Sequence, residues 1–243
     1  MKETMRIHKY LAVCGIASRR AAEKLVEEGK VTINRRVAEV GDGVVPGKDI
    51  VTVDGKEVKI KNEEYVYIMC HKPRGYITSM QDDRGRKTVL ELLEGVNRRV
   101  FPVGRLDYNS EGLLLFTNDG ELSYRITHPK HRIEKAYRVT VSGKVSENTL
   151  GKLRQSMQID GVMLQAVSVK IIMERENSTA IEIVVSEGKN RQIRKMCENC
   201  FLLIRRLKRV RIGEISLGML PPGKYRFLTV KEVENLKVLC GLK

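Results

Sequence analysis

Arg105 and Asp107 stand two residues apart in the run Gly104-Arg105-Leu106-Asp107-Tyr108-Asn109-Ser110-Glu111-Gly112-Leu113-Leu114-Leu115-Phe116. Residues two apart point the same way on an extended strand, so this guanidinium and carboxylate can share one face at a strand end. Tyr108 to Gly112 reads as a turn, and Leu113 to Phe116 as a buried strand or the start of a helix. A carboxylate presented on a loop and braced by apolar packing suits a reactive group. The same residues also describe an ordinary surface Arg–Asp pair, worth little energetically, and the stretch alone leaves both readings open. Glu111 lies four residues beyond Asp107. Two carboxylates invite a glycosidase reading, which needs them about 5–9.5 Å apart.

Other pairs invite other chemistry. Cys197-Glu198-Asn199-Cys200 and His128-Pro129-Lys130-His131 would hold zinc only if the two pairs converged. The two cysteines fall in a segment with helical character, which makes them small helix side chains instead, and no metal is expected. A Gly-rich phosphate cradle is missing, since the chain contains neither Gly-x-Gly-x-x-Gly nor Gly-Lys-Ser/Thr.

Charge narrows the partners. The 243 residues carry a formal net charge of +15, which points to a polyanion, nucleic acid ahead of an anionic membrane. Residues 1–60 hold 12 basic and 9 acidic side chains, so most of the excess lies beyond them. Lys189 to Arg211 alone contains nine Lys/Arg against the single acid Glu198, a stretch expected to grip a phosphate backbone. No apolar run approaches the ~18 residues of a membrane span, and Met1 to Arg6 leads into no apolar segment of a secretory signal. Five scattered cysteines suit reduced thiols in the cytoplasm.

These residues need elements to hold them. Residues 6–29 read as two short helices around Gly15, the second capped by Ser18 and closed by Gly29. Short β segments follow at 30–33 and 49–53, with a hairpin turn at Val53-Asp54-Gly55-Lys56. A polar linker is expected at 61–65. Beyond it the pattern predicts strands at 65–70, 100–103, 136–141, 167–173, 180–186 and 201–212, with His71 to Tyr76 as a basic turn. Helices are predicted over 89–94, 119–128, 146–157, 187–199 and 230–239, with one last strand after Pro221-Pro222-Gly223. Strands joined by short turns favour an α+β domain with a largely antiparallel sheet over βαβ repeats.

Residues 6–11, 15–22, 25–34 and 46–49 resemble the S4 RNA-binding module of ribosomal protein S4 and many RNA-modifying enzymes. One departure stands out: the family usually carries Asn-Gly at its first β-turn, whereas Asn34 is followed here by Arg35-Arg36, a turn expected to be strained or of another type. Tyr67 to Tyr76, Gly104 to Leu115, Lys135-Ala136-Tyr137-Arg138-Val139 and Glu187-Gly188-Lys189-Asn190-Arg191-Gln192-Ile193-Arg194-Lys195-Met196 together resemble the bacterial ribosomal RNA pseudouridine synthases that carry such a module. The match runs through nearly the whole chain in the expected order.

The resemblance implies an α+β protein: a small N-terminal S4 (αL-like) RNA-binding module over 1–60 and a catalytic domain over 66–243. The latter would have a mixed, mainly antiparallel sheet flanked by helices and crossed by an active-site cleft. It implies that a uridine of ribosomal RNA is isomerised to pseudouridine without a cofactor. Asp107 would be the reacting carboxylate, attacking the sugar or the base or acting as a base; Tyr137 would stack on the flipped uracil and assist proton removal from carbon 5. Arg194 would pair with Asp107, a contact that favours the ionised carboxylate. Arg105, Arg19, Arg20, Lys24, Lys189, Arg191 and Lys195 would contact RNA. The Asn190-Arg191 form of its motif leans toward large-subunit (23S) over small-subunit (16S) RNA, naked or in a ribosome-assembly intermediate. A cytoplasmic monomer without membrane contact is expected. The competing class is a non-catalytic RNA-binding assembly factor, which would have no need of the Asp107, Tyr137 and Arg194 set.

Overall fold

The computed structural model describes residues 4–60 and 64–242. The chain packs into two compact units, residues 1–64 and 65–243. Residues 61–63 of the expected linker lie outside the described residues.

In the first unit, β1 (Met5–Arg6) leads into α1 (Ile7–Val13), and α2 (Arg19–Glu27) follows after Gly15. The Ser18 hydroxyl accepts from the Ala21 amide at 3.2 Å, capping α2 as its sequence predicts. Four short strands, β2 (Val31–Ile33), β3 (Arg36–Val37), β5 (Val51–Val53) and β6 (Lys56–Val58), form a sheet in the order β3-β2-β5-β6, while β4 (Gly43–Val44) pairs with β1. Ile7, Leu11, Ala22, Val26, Val31 and Val51 bury the inner faces. The strands β3 and β4, of two residues each, are too short to show a period-two pattern in sequence.

The β2–β3 turn carries the departure noted above. Asn34 has φ 50° and Arg35 φ 70°, the left-handed pair of a type I′ hairpin. Asn34 suits its place, because its side chain accepts from the Ile50 amide at 2.9 Å and donates to Asp49 at 3.0 Å. Arg35 stands where glycine would be unstrained.

The second unit is built on nine strands. In chain order they are β7 (Tyr67–Lys72), β8 (Phe101–Val103), β9 (Glu111–Thr117), β10 (Lys135–Ser142), β13 (Ser168–Arg175), β14 (Ser178–Val185), β15 (Ile204–Ile212), β16 (Ile215–Ser216) and β17 (Tyr225–Phe227). A separate hairpin joins β11 (Met157–Ile159) to β12 (Val162–Leu164). The helices are α3 (Gly120–Thr127), α4 (Glu147–Arg154), α5 (Gln192–Asn199) and α6 (Val230–Leu239). The sheet runs β13-β14-β10-β15-β9-β7-β17, with β16 on β15 and β8 on β9. Every pairing is antiparallel except one. The strands β9 and β15 are parallel and pair only at Glu111 and Gly112 against Lys208 and Arg209, then part; β8 takes the far end of β9. The mixed, mainly antiparallel sheet is therefore split near its middle.

β9 is buried along its whole length. Leu113 and Leu115 join one core with α3 and α6, and Leu114 and Phe116 join another on the opposite face. A strand covered on both faces reads as an unbroken apolar run, which is why its type was open in sequence. A third core holds α4 and α5 against β10 and β14. All five cysteines are buried and free, and burial pushes the thiols of Cys70 and Cys197 up to about 12.

Several boundaries differ from the sequence pattern for identifiable reasons. His71 and Lys72 belong to β7, not to a turn, and Glu111 and Gly112 begin β9. The segment 89–94 is a short 3-10 turn over Val89–Leu92, closed by a Thr88/Glu91 capping box. α4 stops at Arg154 and Met157 opens a hairpin. Residues 187–191 form a turn before α5, since Gly188 and Asn190 disfavour helix and Arg191 adopts φ 51°.

Left-handed backbone costs a residue with a side chain about 1–2 kcal/mol, and glycine's freedom in the unfolded chain offsets about 0.5–1 of that. Arg35→Gly should therefore raise stability by about 0.5–1 kcal/mol in urea denaturation. A loss of stability would show that the Arg35 side chain makes a contact the turn needs.

Candidate active site

Where β9 and β15 part, a cleft of about 390 Å³ opens, bordered by residues 103–107, Tyr137 of β10, Leu207 and Arg209 of β15, and residues 187–194. Leu106 is buried in the core beneath, and Arg105 and Asp107 border the cleft on either side of it. Segment 104–110 has no strand partner, so its polar backbone groups need other ones. Thr78 serves Leu106 twice, its hydroxyl donating to the carbonyl at 2.8 Å and accepting from the amide at 3.2 Å. The Gly75 amide donates to Tyr108 O at 3.0 Å.

Cations take the other carbonyls. Lys72, fully buried, donates to Asp107 O at 3.0 Å, Ser110 O at 2.8 Å and Pro73 O at 3.1 Å. Burial draws its ammonium down to about 8, against the pull of the Asp107 and Glu111 carboxylates. Three carbonyl acceptors use all three of its N–H groups and so favour the charged form. Arg209, also buried, donates to Leu113 O at 2.7 Å and Arg105 O at 3.4 Å. It thereby bridges the gap that the parting strands leave. Gly112 is what lets them touch first: with φ 110°, a Cβ there would lie 2.2 Å from Arg209 O. Lys135 donates to Ile126 O at 3.1 Å, and burial, then Arg209, lowers it to about 8.

Arg194, in the first turn of α5, donates to Asn109 O and Ser110 Oγ, each at 3.1 Å. Its Nε faces Asp107 Oδ2 at 3.8 Å, an electrostatic contact too long for a hydrogen bond. That Nε is buried and has no hydrogen-bond partner among the described residues. Burial, then Arg191, draws the guanidinium below its ordinary value, and Asp107 opposes this. The Tyr137 ring packs partly against two cores. The turn before α5 is organised by Gln192, which is buried, accepts from the Lys189 amide at 3.3 Å and donates to Gln165 O at 3.2 Å.

Asp107, Tyr137, Arg194, Arg105, Lys189 and Arg191 thus border one cleft. Lys195 does not, and pairs with Asp160 at 2.8 Å. Arg19, Arg20 and Lys24 are exposed on α2 in the first unit. The basic run 189–211 is not one RNA face: Arg209 is internal, Arg206 pairs with Glu111 at 2.5 Å and Arg211 with Glu134 at 3.5 Å. Glu111 is buried between Arg206 and Arg74, which makes it a structural acid. Cys197 and Cys200 lie in the core, His128 and His131 gather around the exposed Tyr124 ring, and no group of three or more potential metal ligands forms among the described residues.

Lys72, Ser110, Gln192 and Arg209 were missing from the sequence-based set. Arg209 had a signal, since it shares the inward parity of buried Leu207. Lys72 ends a strand that is otherwise buried, but its type reads as surface.

A cationic cleft across a split sheet, in one chain with a smaller separate unit, suits an enzyme that acts on a polyanion. The pattern of RNA pseudouridylate synthases matches residues 66–199, and that of the S4 domain residues 5–51. An uncharacterised RNA pseudouridine synthase of Aquifex aeolicus is 42% identical over 98% of this chain and 96% of its own. The ribosomal large subunit pseudouridine synthase B of Bacillus subtilis is 38% identical over 97% and 96%. A crystal structure of a pseudouridylate synthase superposes with a TM-score of 0.67 at 28% identity, over 96% of this chain and 99% of that one. The chain belongs to the RNA pseudouridine synthase family.

Lys72→Met should cost about 2 kcal/mol, since each stranded carbonyl costs about 1–3 kcal/mol and removal of a buried charge offsets part of the total. Amide exchange over 105–111 should accelerate while β13–β14 stays protected. Unchanged protection over 105–111 would mean that Lys72 does not hold the segment.

Proposed function

We propose that this cleft isomerises a uridine of ribosomal RNA to pseudouridine, with Asp107 as the reacting carboxylate and no cofactor. The observation that carries it is the Asp107 carboxylate beside Arg194 at 3.8 Å, in a cleft walled by Tyr137; the cleft's other carboxylate, Glu187, is paired with Lys189 at 2.9 Å. About 390 Å³ falls within the roughly 300–1,000 Å³ of small-ligand sites, enough for one nucleoside taken out of its stack. Extrusion costs a few kcal/mol, which the Tyr137 ring would offset by stacking on the base.

The reaction breaks the bond between sugar C1′ and base N1, forms one between C1′ and base C5, and moves the C5 proton to N1 or solvent. Nothing is oxidised. An ionised carboxylate is needed whether Asp107 attacks the sugar, attacks the base or takes a proton; Arg194 at 3.8 Å supplies the countercharge. The Tyr137 hydroxyl, with no hydrogen bond among the described residues, is available to help remove the C5 proton. Large-subunit RNA is the favoured substrate, supported by the Bacillus subtilis relative named for that subunit and by the Asn190-Arg191 motif. We read the enzyme as a cytoplasmic monomer; no described helix is long and apolar enough to cross a membrane.

Tritium release from ribosomal RNA labelled at uridine C5 tests this. Wild type should release it, Asp107→Asn should release none, and Glu111→Gln should retain substantial release while losing stability through Arg206 and Arg74. The reverse pattern for the two acids would sink the assignment, and no release from wild type would favour an RNA-binding factor.

The S4 unit should grip phosphates through α2, where Arg19 lies 2.8 Å from His8. Arg19→Ala with Arg20→Ala should weaken RNA binding more than it slows isomerisation of bound RNA, and should flatten the slope of log Kd against log salt by between about 1 and 2. An unchanged dissociation constant would rule this role out.

A further inference from the structure

A second basin, of about 550 Å³, adjoins the cleft and shares Arg105, Leu106, Asp107 and Arg191 with it. Its remaining wall is the loop 77–86 together with Tyr108. This loop is organised without contributing to any of the three cores. The Asp82 carboxylate, nearly buried, accepts from the Arg84 amide at 3.1 Å, the Arg86 amide at 2.7 Å, and Arg86 Nε and Nη2 at 3.1 and 2.6 Å. The neck is closed where the Ile77 amide donates to Lys87 O at 2.9 Å and the Val89 amide to Ile77 O at 3.0 Å.

Charge bookkeeping in the basin leaves a surplus of cations. Asp82 is occupied by Arg86, and Asp107 faces Arg194. Arg84 and Arg105 form no ion pair among the described residues, and Arg191 has only the exposed Glu198 at 3.6 Å. Asp83 is the one acid of the wall outside these pairs. Tyr108 is half-exposed, at 50%, although its backbone is anchored through Gly75, so its ring is presented rather than packed. A uridine in the first cleft is covalently bound to a nucleotide on each side, and a basin sharing the Asp107 wall lies where one of those must pass.

We propose that the second basin is the subsite for the nucleotide flanking the target uridine, with Arg84 and Arg105 holding its backbone phosphate and Tyr108 stacking on its base. The proposal rests on the RNA-modifying reading above. Arg86 and Asp82 act as positioning residues that shape the loop. A single-stranded neighbour suits this wall, because an aromatic ring accepts any base face and arginines track the backbone.

Filter binding to large-subunit ribosomal RNA across a sodium chloride series tests it, with circular dichroism melting to show that each variant is folded. Arg84→Ala should flatten the slope of log Kd against log salt by about 0.7, the value for one phosphate contact to a single strand. Tyr108→Ala should raise Kd roughly tenfold without altering the slope, as loss of one stacked base does, and Tyr108→Phe should restore it to within about twofold. Arg175→Ala, at the end of the β13–β14 hairpin, serves as the control for loss of one exposed charge. A slope for Arg84→Ala equal to wild type, an equal flattening by Arg175→Ala, or an unchanged Kd for Tyr108→Ala overturns the subsite. These are binding measurements, so a loss of the synthase reading would be seen separately, as absent tritium release with the binding series intact.

Discussion

The second unit depends on a substitution of side-chain cations for sheet hydrogen bonds. The strands β9 and β15 share two residue pairs and then separate, which leaves main-chain carbonyls of 105–113 without a sheet partner, at a cost of about 1–3 kcal/mol for each that is buried. Lys72, Arg194 and Arg209 take up five of them, those of Arg105, Asp107, Asn109, Ser110 and Leu113. The split that creates the cleft and the cations that make the split tolerable are one arrangement. Gly112 completes it, since only a residue without Cβ lets the two strands meet before they part.

A second effect follows from the same groups. None of these three cations is neutralised by a close carboxylate hydrogen bond; they bond to carbonyls, which carry only partial charge. Their positive field is therefore left over, and Asp107 is set within it, 3.8 Å from Arg194. Lys135, bonded to Ile126 O, adds to that field. Such a site attracts a polyanion. Glu111, by contrast, is closed off by Arg206 and Arg74. Two carboxylates four residues apart sit in different settings: one is enclosed by guanidinium groups and the other meets a single guanidinium at 3.8 Å.

Much of this was legible before the coordinates. The α2 cap at Ser18, the helix starting at Asp119, the β10 strand bearing Tyr137 and the α+β class all follow from local pattern, because each is decided by neighbours in sequence. The family resemblance brought Asp107, Tyr137 and Arg194 together, which no spacing rule could do across 87 residues of chain. Lys72 was not legible, and Arg209 only through the parity it shares with Leu207, since lysine and arginine are almost never fully buried unless paired and their partners here are carbonyls, which leave no mark in a sequence. The run from Lys189 to Arg211 misled for the same reason. It reads as one phosphate-binding surface, yet a turn, a helix and a strand divide it between the cleft, the interior and surface ion pairs.

Anchorage through carbonyls also bears on how this segment can diverge. Every residue type except proline offers the same carbonyl and amide, so the grip of Lys72, Thr78, Gly75 and Arg209 on 105–111 is blind to the side chains above it. Tyr108 and Asn109 can be exchanged without unfastening the loop that carries Asp107. A lineage could change the surface those positions present, one at a time, while the Asp107 carboxylate stays where it is. The conserved machinery of such an enzyme would then lie mainly under its recognition surface, and the surface itself would be free to drift.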